Sequence, residues 1–226
     1  PVVTFQVWYR VGSRNEKDGK SGLSHFLEHM LFKGTQKTKP EEYSRIIAKN
    51  GGRSNAFTSS DVTDYFATMS RDKIGIEIDL EADRMVNALL GETYFEPEKK
   101  VIQEERRLRT EDNPVSALGE VAGAVAYMVH PYRRPVIGWM NDLESMRAED
   151  AAAWYRDWYA PANAILVVAG DVSGEEVYRL AEGTYGRIGS RALPVRKPQV
   201  EPAQRGLRRA WVKAPAENPF VMLGFK

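Results

Sequence analysis

Two histidines and a glutamate stand close together in the run His25-Phe26-Leu27-Glu28-His29. The apolar side chains around them recur at helical spacing, so we predict a helix from Gly22 to Phe32. Residues four apart lie one turn from each other on the same helix face, and Glu28 lies on nearly that face. Two neutral imidazoles in this position can bind one zinc ion, with a carboxylate beside a water on the metal.

This histidine pair is one protein ligand short of a catalytic zinc site, which usually has three ligands and a water. The chain contains three histidines in all and no cysteine. His130 precedes Pro131 at the end of a predicted helix, where a structural or surface role is the better interpretation. The zero cysteine count also excludes disulfides, Cys–zinc sites, iron–sulfur clusters and thiol catalysis.

A longer stretch around the pair carries a family resemblance. Residues Gly22–Thr35 read GLSHFLEHMLFKGT and resemble the signature of the pitrilysin/insulinase family of zinc metallopeptidases. The H-x-x-E-H motif of this family is the inverted form of the commoner zinc-protease motif, H-E-x-x-H. Residues Gly51–Thr58, with Asp61, Thr63 and Tyr65, resemble the segment that follows the zinc helix in this family. The chain is similar to the N-terminal, zinc-bearing half of bacterial processing-peptidase-like members.

The resemblance implies a zinc-dependent endopeptidase with one zinc ion per chain. His25 and His29 would bind the metal, and Glu28 would act as the general base on a zinc-activated water. The family's third ligand is a glutamate on a helix about 75 residues after the second histidine, and Glu105 stands at that distance. Glu104 is the alternative, since adjacent helix residues point about 100° apart.

Three further residues have candidate roles. Glu98 lies two turns before Glu105 on the same predicted helix face and would orient a histidine as an outer-shell carboxylate; a solvated first-turn glutamate is the alternative. In the family, the strand corresponding to Asn55 and Ala56 lies beside the zinc and takes up the substrate as an extended peptide. The alternative role for Asn55 is to shape a turn.

The resemblance also implies a partner, because family enzymes consist of two related halves, one with zinc and one without. We expect residues 1–226 to form a single zinc-bearing domain. The zinc-free half would follow C-terminally or be a separate subunit, and a homodimer is a third arrangement. The predicted peptidase would act on peptides or unfolded segments. One alternative is a non-catalytic subunit that binds peptides or scaffolds a complex. Another is a metal-dependent hydrolase that cleaves a different kind of bond.

The elements that must position these residues follow from the hydrophobic pattern. Strands are predicted at Val2–Val11, Arg53–Thr58, Val62–Ser70, Asn163–Val172, Arg208–Lys213 and Pro219–Lys226. Helices are predicted at Gly22–Phe32, Pro40–Asn50, Arg71–Leu90, Pro97–Glu111, Val115–Val129, Asp150–Tyr159 and from Ser173 through Tyr185. Because strands and helices do not alternate regularly, we predict an α+β fold, with long helices packed on one face of a mainly antiparallel sheet.

Composition restricts the partners further. Lys+Arg number 32 and Asp+Glu 31, and no block of five basic residues occurs, so nucleic-acid binding is not indicated. No apolar run reaches the roughly 18 residues of a membrane span. The chain begins at Pro1 inside a predicted strand, so we expect further sequence upstream. The family resemblance favours the bacterial periplasm or secretion over the cytoplasm.

Overall fold

A computed structural model of the protein describes residues 1–225, and its centre is a four-stranded antiparallel sheet. The strands lie in the order β2-β3-β1-β4. Their bounds are β1 Val2–Tyr9, β2 Arg53–Thr58, β3 Thr63–Ser70 and β4 Ala164–Gly170. The tight connection after β2 places Thr58 opposite Thr63, which fixes the register of the hairpin.

Eight α-helices complete the fold in the described residues. Their bounds are α1 Leu23–Met30, α2 Glu42–Lys49, α3 Ile74–Asn87, α4 Glu92–Arg106, α5 Pro114–Ala126, α6 Met140–Ser145, α7 Ala148–Trp158 and α8 Gly174–Thr184. The helices and the antiparallel sheet confirm the predicted α+β class.

Strand β1 shows why the helices cover one face of the sheet. Its side chains alternate, with Val3, Phe5, Val7 and Tyr9 buried and the residues between them half-buried. Side chains of a strand point alternately to opposite faces, so the buried set faces the helices and forms the core with them. Burying each such side chain contributes roughly 1.5–3 kcal/mol, which holds the helices against this face.

Helix α1 is fixed in this core at both ends. It contacts α4, α7 and β2, and the rings of Phe26 and Phe95 stack with their centroids 4.3 Å apart. Gly22 begins the helix with φ +88°, and a Cβ there would lie 2.5 Å from the carbonyl oxygen of Ile137. Only glycine accommodates that conformation and that contact, so the start of α1 is set by its sequence.

Helix α4 begins earlier than predicted. Pro97 followed by Glu98 resembles a helix start, yet the helix begins at Glu92 with Pro97 inside its second turn. After Arg106 the chain widens into a π-helical turn, Arg107–Glu111, before α5 begins at Pro114.

The two strands predicted near the C-terminus are wrong for the described residues. Residues 208–213 and 219–225 form no strand and pair with no described strand, and Lys226 lies outside the described part. A strand forms only when a neighbour satisfies its backbone groups, and the described sheet ends at β2 and β4. Among residues 1–225, no helix has both the length and the apolar character needed to cross a membrane.

Candidate metal centre

Three side chains from two helices converge at one point, and we call them the metal cluster: His25, His29 and Glu105. The two histidines lie on successive turns of α1, with ring centroids 4.7 Å apart. Their Nε2 atoms are 3.8 Å and 3.4 Å from Oε2 of Glu105 on α4. One ligand atom from each residue lies within 4.8 Å of the other two.

The chemistry of this donor set fits a zinc ion. Two imidazoles and one carboxylate form a known catalytic zinc set, which leaves a fourth position open. His25 must be neutral to bind a metal, and burial, followed by the neighbouring His29, lowers its pKa to about 4. The buried imidazole of His25 is therefore uncharged at neutral pH and available as a ligand.

His29 is held by a carboxylate behind it. Its Nδ1 donates to Oε1 of Glu98 at 2.8 Å, which directs Nε2 toward the cluster. The other oxygen of Glu98 lies 2.8 Å from Nζ of Lys33. Burial lowers the pKa of His29, but its hydrogen bonds to Glu105 and Glu98 outweigh burial and raise the pKa to about 9. A metal ion bound to Nε2 of His29 would displace the proton on that nitrogen, whereas the Nδ1 proton stays hydrogen-bonded to Glu98.

Glu28 lies next to the metal cluster and has one defined partner. The hydroxyl of Thr58, the last residue of β2, donates to Oε2 of Glu28 at 2.5 Å. Burial raises the pKa of Glu28, and the hydrogen bond from Thr58 acts in the opposite direction. The end of the outer strand thus fixes the orientation of this carboxylate.

Asn55 and Ala56 lie in the middle of β2, so the turn role considered for Asn55 is wrong. They pair with Phe66 and Tyr65 of β3. Strand β2 is the outer strand on its side of the described sheet, and α1 contacts it. Asn55 is exposed, whereas Ala56 packs partly against the core.

The structure separates the remaining candidates from the metal cluster. Glu104 is exposed and pairs with Arg107 at 3.0 Å. His130 accepts a hydrogen bond from the backbone N–H of Tyr132 and lies outside the cluster. Glu98, by contrast, is buried and bonded to a histidine, so the solvated role considered for it is wrong.

Sequence reasoning missed three residues that touch this centre. Thr58 and Lys33 lie in the two stretches that carry the family resemblance, so their positions could have drawn attention. Arg109 lies 2.7 Å from Glu105 across one helical turn, a spacing that the sequence does show. None of the three has a residue type that indicates a metal site by itself.

Comparison with known protein families gives two matches along the chain. Residues 1–138 match the model described as insulinase, peptidase family M16. Residues 145–226 match the model described as the peptidase M16 inactive domain. The metal cluster and Glu28 all fall within the first of these matches.

Comparison with individual proteins agrees with the family matches. The chain is 38% identical over 229 residues to the zinc protease PqqE of Helicobacter pylori, covering 100% of this chain and 51% of that protein. A crystal structure of a protease from Helicobacter pylori superposes with a TM-score of 0.88 at 38% identity, over 92% of this chain and 51% of that one. The first half of the periplasmic protease PqqL from Escherichia coli shares the fold, with a TM-score of 0.80 at 22% identity, over 90% of this chain and 45% of that one. The chain therefore spans about half the length of the relatives it matches.

Proposed function

The chain belongs to the insulinase family of peptidases, M16, and we propose that it is the zinc-bearing half of a zinc-dependent endopeptidase. Relatives named zinc proteases support a peptidase-type function and a requirement for zinc. The observation that carries the proposal is the convergence of the His25, His29 and Glu105 ligand atoms, with a carboxylate next to them. The peptide-bond chemistry, the ligand roles and the zinc-free second half are our proposals.

His25, His29 and Glu105 would hold the zinc ion in this proposal. Such an ion activates a water and polarises a substrate carbonyl when it is bound. The protein contributes the geometry, because stacking of α1 on α4 sets the distance between the histidines and Glu105. Glu98 contributes the orientation of His29 by accepting its Nδ1 proton.

Glu28 would act as the general base. Its Oε2 accepts the Thr58 hydroxyl, which leaves Oε1 to take a proton from the attacking water. The same proton then passes to the leaving amine nitrogen as the carbon–nitrogen bond breaks. The products are one carboxyl and one amine, and no side chain forms a covalent bond to the substrate.

Strand β2 would bind the substrate as an added strand. Its backbone pairs with β3 along one edge only, so the groups around Asn55 and Ala56 on the other edge suit an extended peptide. Recognition through backbone hydrogen bonds depends little on side chains and requires peptides or unfolded segments. The strand runs directly to Thr58, so a peptide bound along it would lie beside Glu28.

The partner and the location are part of the same proposal. A zinc-free half would follow this domain or be a separate subunit, or a second copy would take its place. Solved neighbours of about twice this length are consistent with such pairing. A periplasmic or secreted location follows from the family resemblance.

The test compares the full-length protein with Glu28→Gln and Glu104→Gln. We expect all three to bind one zinc ion per chain. Cleavage of a quenched unstructured peptide should fall by roughly 10²–10⁴-fold in Glu28→Gln alone, the range that a lost general base produces. Equal cleavage by wild type and Glu28→Gln would exclude Glu28 as the base, and loss of zinc in Glu104→Gln would exclude the ligand assignment. Wild-type protein that binds zinc but cleaves no peptide would favour a peptide-binding subunit.

A further inference from the structure

Arg109 gives the two oxygens of Glu105 different partners. Its Nη1 lies 2.7 Å from Oε1 of Glu105, whereas Oε2 of the same carboxylate faces the two histidines. A carboxylate can bind a metal through one oxygen or through both. An ion pair that occupies Oε1 selects the first of these two modes.

The backbone around Arg109 departs from a regular helix. Helix α4 ends at Arg106 and the chain continues as a π-helical turn, Arg107–Glu111. Single π-helical turns are frequent at functional sites. The turn contains Arg109, whose guanidinium reaches the carboxylate four residues earlier.

We propose that Arg109 is a positioning residue for Glu105: it holds Oε1, so that only Oε2 reaches the metal. A ligand that binds through one oxygen leaves coordination positions for the water and the substrate carbonyl, as a catalytic site needs. This inference rests on the proposed zinc site and adds a residue outside its ligands and its base.

A neighbouring ion pair shows what an ordinary contact looks like. Arg107 pairs with Glu104 at 3.0 Å on the same part of the chain, and both side chains are exposed, at 47% and 60%. Such surface pairs contribute little to stability or geometry. In the pair between Arg109 and Glu105, the arginine is 73% exposed but the carboxylate only 16%, so the carboxylate end of this pair is shielded from solvent.

The test uses the full-length protein with three variants: Arg109→Gln, Arg109→Lys and the matched control Arg107→Gln. Zinc affinity is measured by competition with a chromophoric chelator. We expect Arg109→Gln to tighten zinc binding by roughly 3- to 10-fold, because the variant removes a cation beside the metal and frees the second oxygen of Glu105. Arg109→Lys keeps a cationic contact and should stay close to the wild-type affinity, and Arg107→Gln should match wild type.

The mode of Glu105 binding gives a second readout. With cobalt(II) in place of zinc, a change from one to two carboxylate oxygens raises the coordination number and weakens the visible d–d bands. We expect this change in Arg109→Gln and not in Arg107→Gln. Wild-type affinity and an unchanged cobalt spectrum in Arg109→Gln would overturn the inference while leaving the proposed function intact. A wild-type protein that binds no zinc would overturn both.

Discussion

Two of the clusters of charged side chains inside this protein are built differently. The metal cluster brings two histidines and a glutamate together with their ligand atoms facing one another. The second, which we call the Arg84 cluster, consists of Tyr43, Glu77, Glu81 and Arg84 and contains its own cation. The comparison indicates that converging ligand atoms suit a bound ion, whereas carboxylates gathered around an arginine suit a structural role.

The Arg84 cluster connects separate parts of the fold. The guanidinium of Arg84 forms an ion pair with Glu81, lies 3.8 Å from the ring centroid of Tyr43 and 4.9 Å from that of Tyr65. Its Nη1 also donates to the carbonyl of Leu31, just after α1, at 3.5 Å. These contacts join α3 to α2, to β3 and to the end of the helix that carries the metal cluster.

Replacing Arg84 should therefore give the largest effect on stability. Arg84→Met leaves the buried carboxylate of Glu81 without its cation, and removal of one partner of a buried ion pair costs about 3–5 kcal/mol. We expect the free energy of unfolding in urea to fall by that amount. The remaining folded protein should still bind one zinc ion per chain.

The double variant Glu81→Leu/Arg84→Met serves as the control for this prediction. Replacing both partners by apolar residues of similar size removes the unpaired charge, so most of the lost stability should return. A double variant as unstable as Arg84→Met would show that packing of the guanidinium on Tyr43 is the main contribution. Loss of zinc at unchanged stability in Arg84→Met would remove the distinction between the two clusters.

The two clusters also differ in what the sequence reveals about them. The histidine pair and Glu28 occur within five residues of one helix, so spacing alone indicates their shared face. The Arg84 cluster is assembled from α2 and α3, and nothing in the spacing of Tyr43 and Glu77 shows that they touch. Glu105 falls between these cases, since only the family resemblance indicated which distant carboxylate meets the histidines.

The fold shows the same difference between features that local sequence predicts and features that depend on distant residues. Strand-forming residues and the turn residues between them predicted all four strands of the sheet, because these patterns are local. The same local pattern wrongly predicted strands after residue 207, where pairing depends on a partner strand that no local pattern encodes.

The corresponding test for the metal cluster replaces Glu98. Glu98→Gln keeps the shape of the side chain but replaces the charged acceptor of the His29 Nδ1 proton. We expect zinc affinity to weaken about 10- to 100-fold, with a smaller effect on unfolding than Arg84→Met causes. Chelator competition and urea unfolding measure the two quantities. Glu96→Gln is the control, since Glu96 pairs with Lys99 at the surface of the same helix; equal zinc affinity in both variants would contradict the role of Glu98.

Each region also contains a hydroxyl that donates to a carboxylate. Thr58 donates to Glu28 at 2.5 Å, and Tyr43 donates to Glu77 at 2.6 Å. Thr58→Val should lower kcat by roughly 10- to 100-fold with little change in KM, because a hydrogen bond to a charged group contributes about 1.5–3 kcal/mol and each 1.36 kcal/mol is tenfold in rate. Tyr43→Phe should instead lower the stability and leave kcat unchanged. Thr58→Ser keeps the hydroxyl and should retain most of the activity. Equal kcat in Thr58→Val and wild type would contradict the role of Thr58 in orienting Glu28.

The smallest expected effect is the contribution of Glu77 to the pH dependence of stability. Burial, and then the charge of Glu81, raises the pKa of Glu77 to about 8. The folded protein therefore keeps a proton on Glu77 that the unfolded chain releases above its ordinary pKa of 4.5. Stability from this group is complete below that value and is lost as the pH rises through about 8. In the metal-free protein, His29 acts in the same direction as Glu77, because its hydrogen bonds to Glu105 and Glu98 outweigh burial and raise its pKa to about 9. The lowered pKa of Glu105 contributes stability that is lost only as the pH falls below the ordinary value of 4.5.

We expect the free energy of unfolding, measured in urea with a chelator present, to fall by about 1 kcal/mol or more between pH 5 and pH 8. Glu77→Gln should make this decline shallower, since glutamine accepts the Tyr43 hydroxyl and does not titrate. A remaining decline is expected in this variant, because burial raises the pKa of Glu16 and of Asp64 to about 7, and the raised pKa of His29 acts in the same direction. An identical decline in Glu77→Gln and wild type would show that Glu77 is ionised in the fold, with Arg84 compensating two carboxylates instead of one.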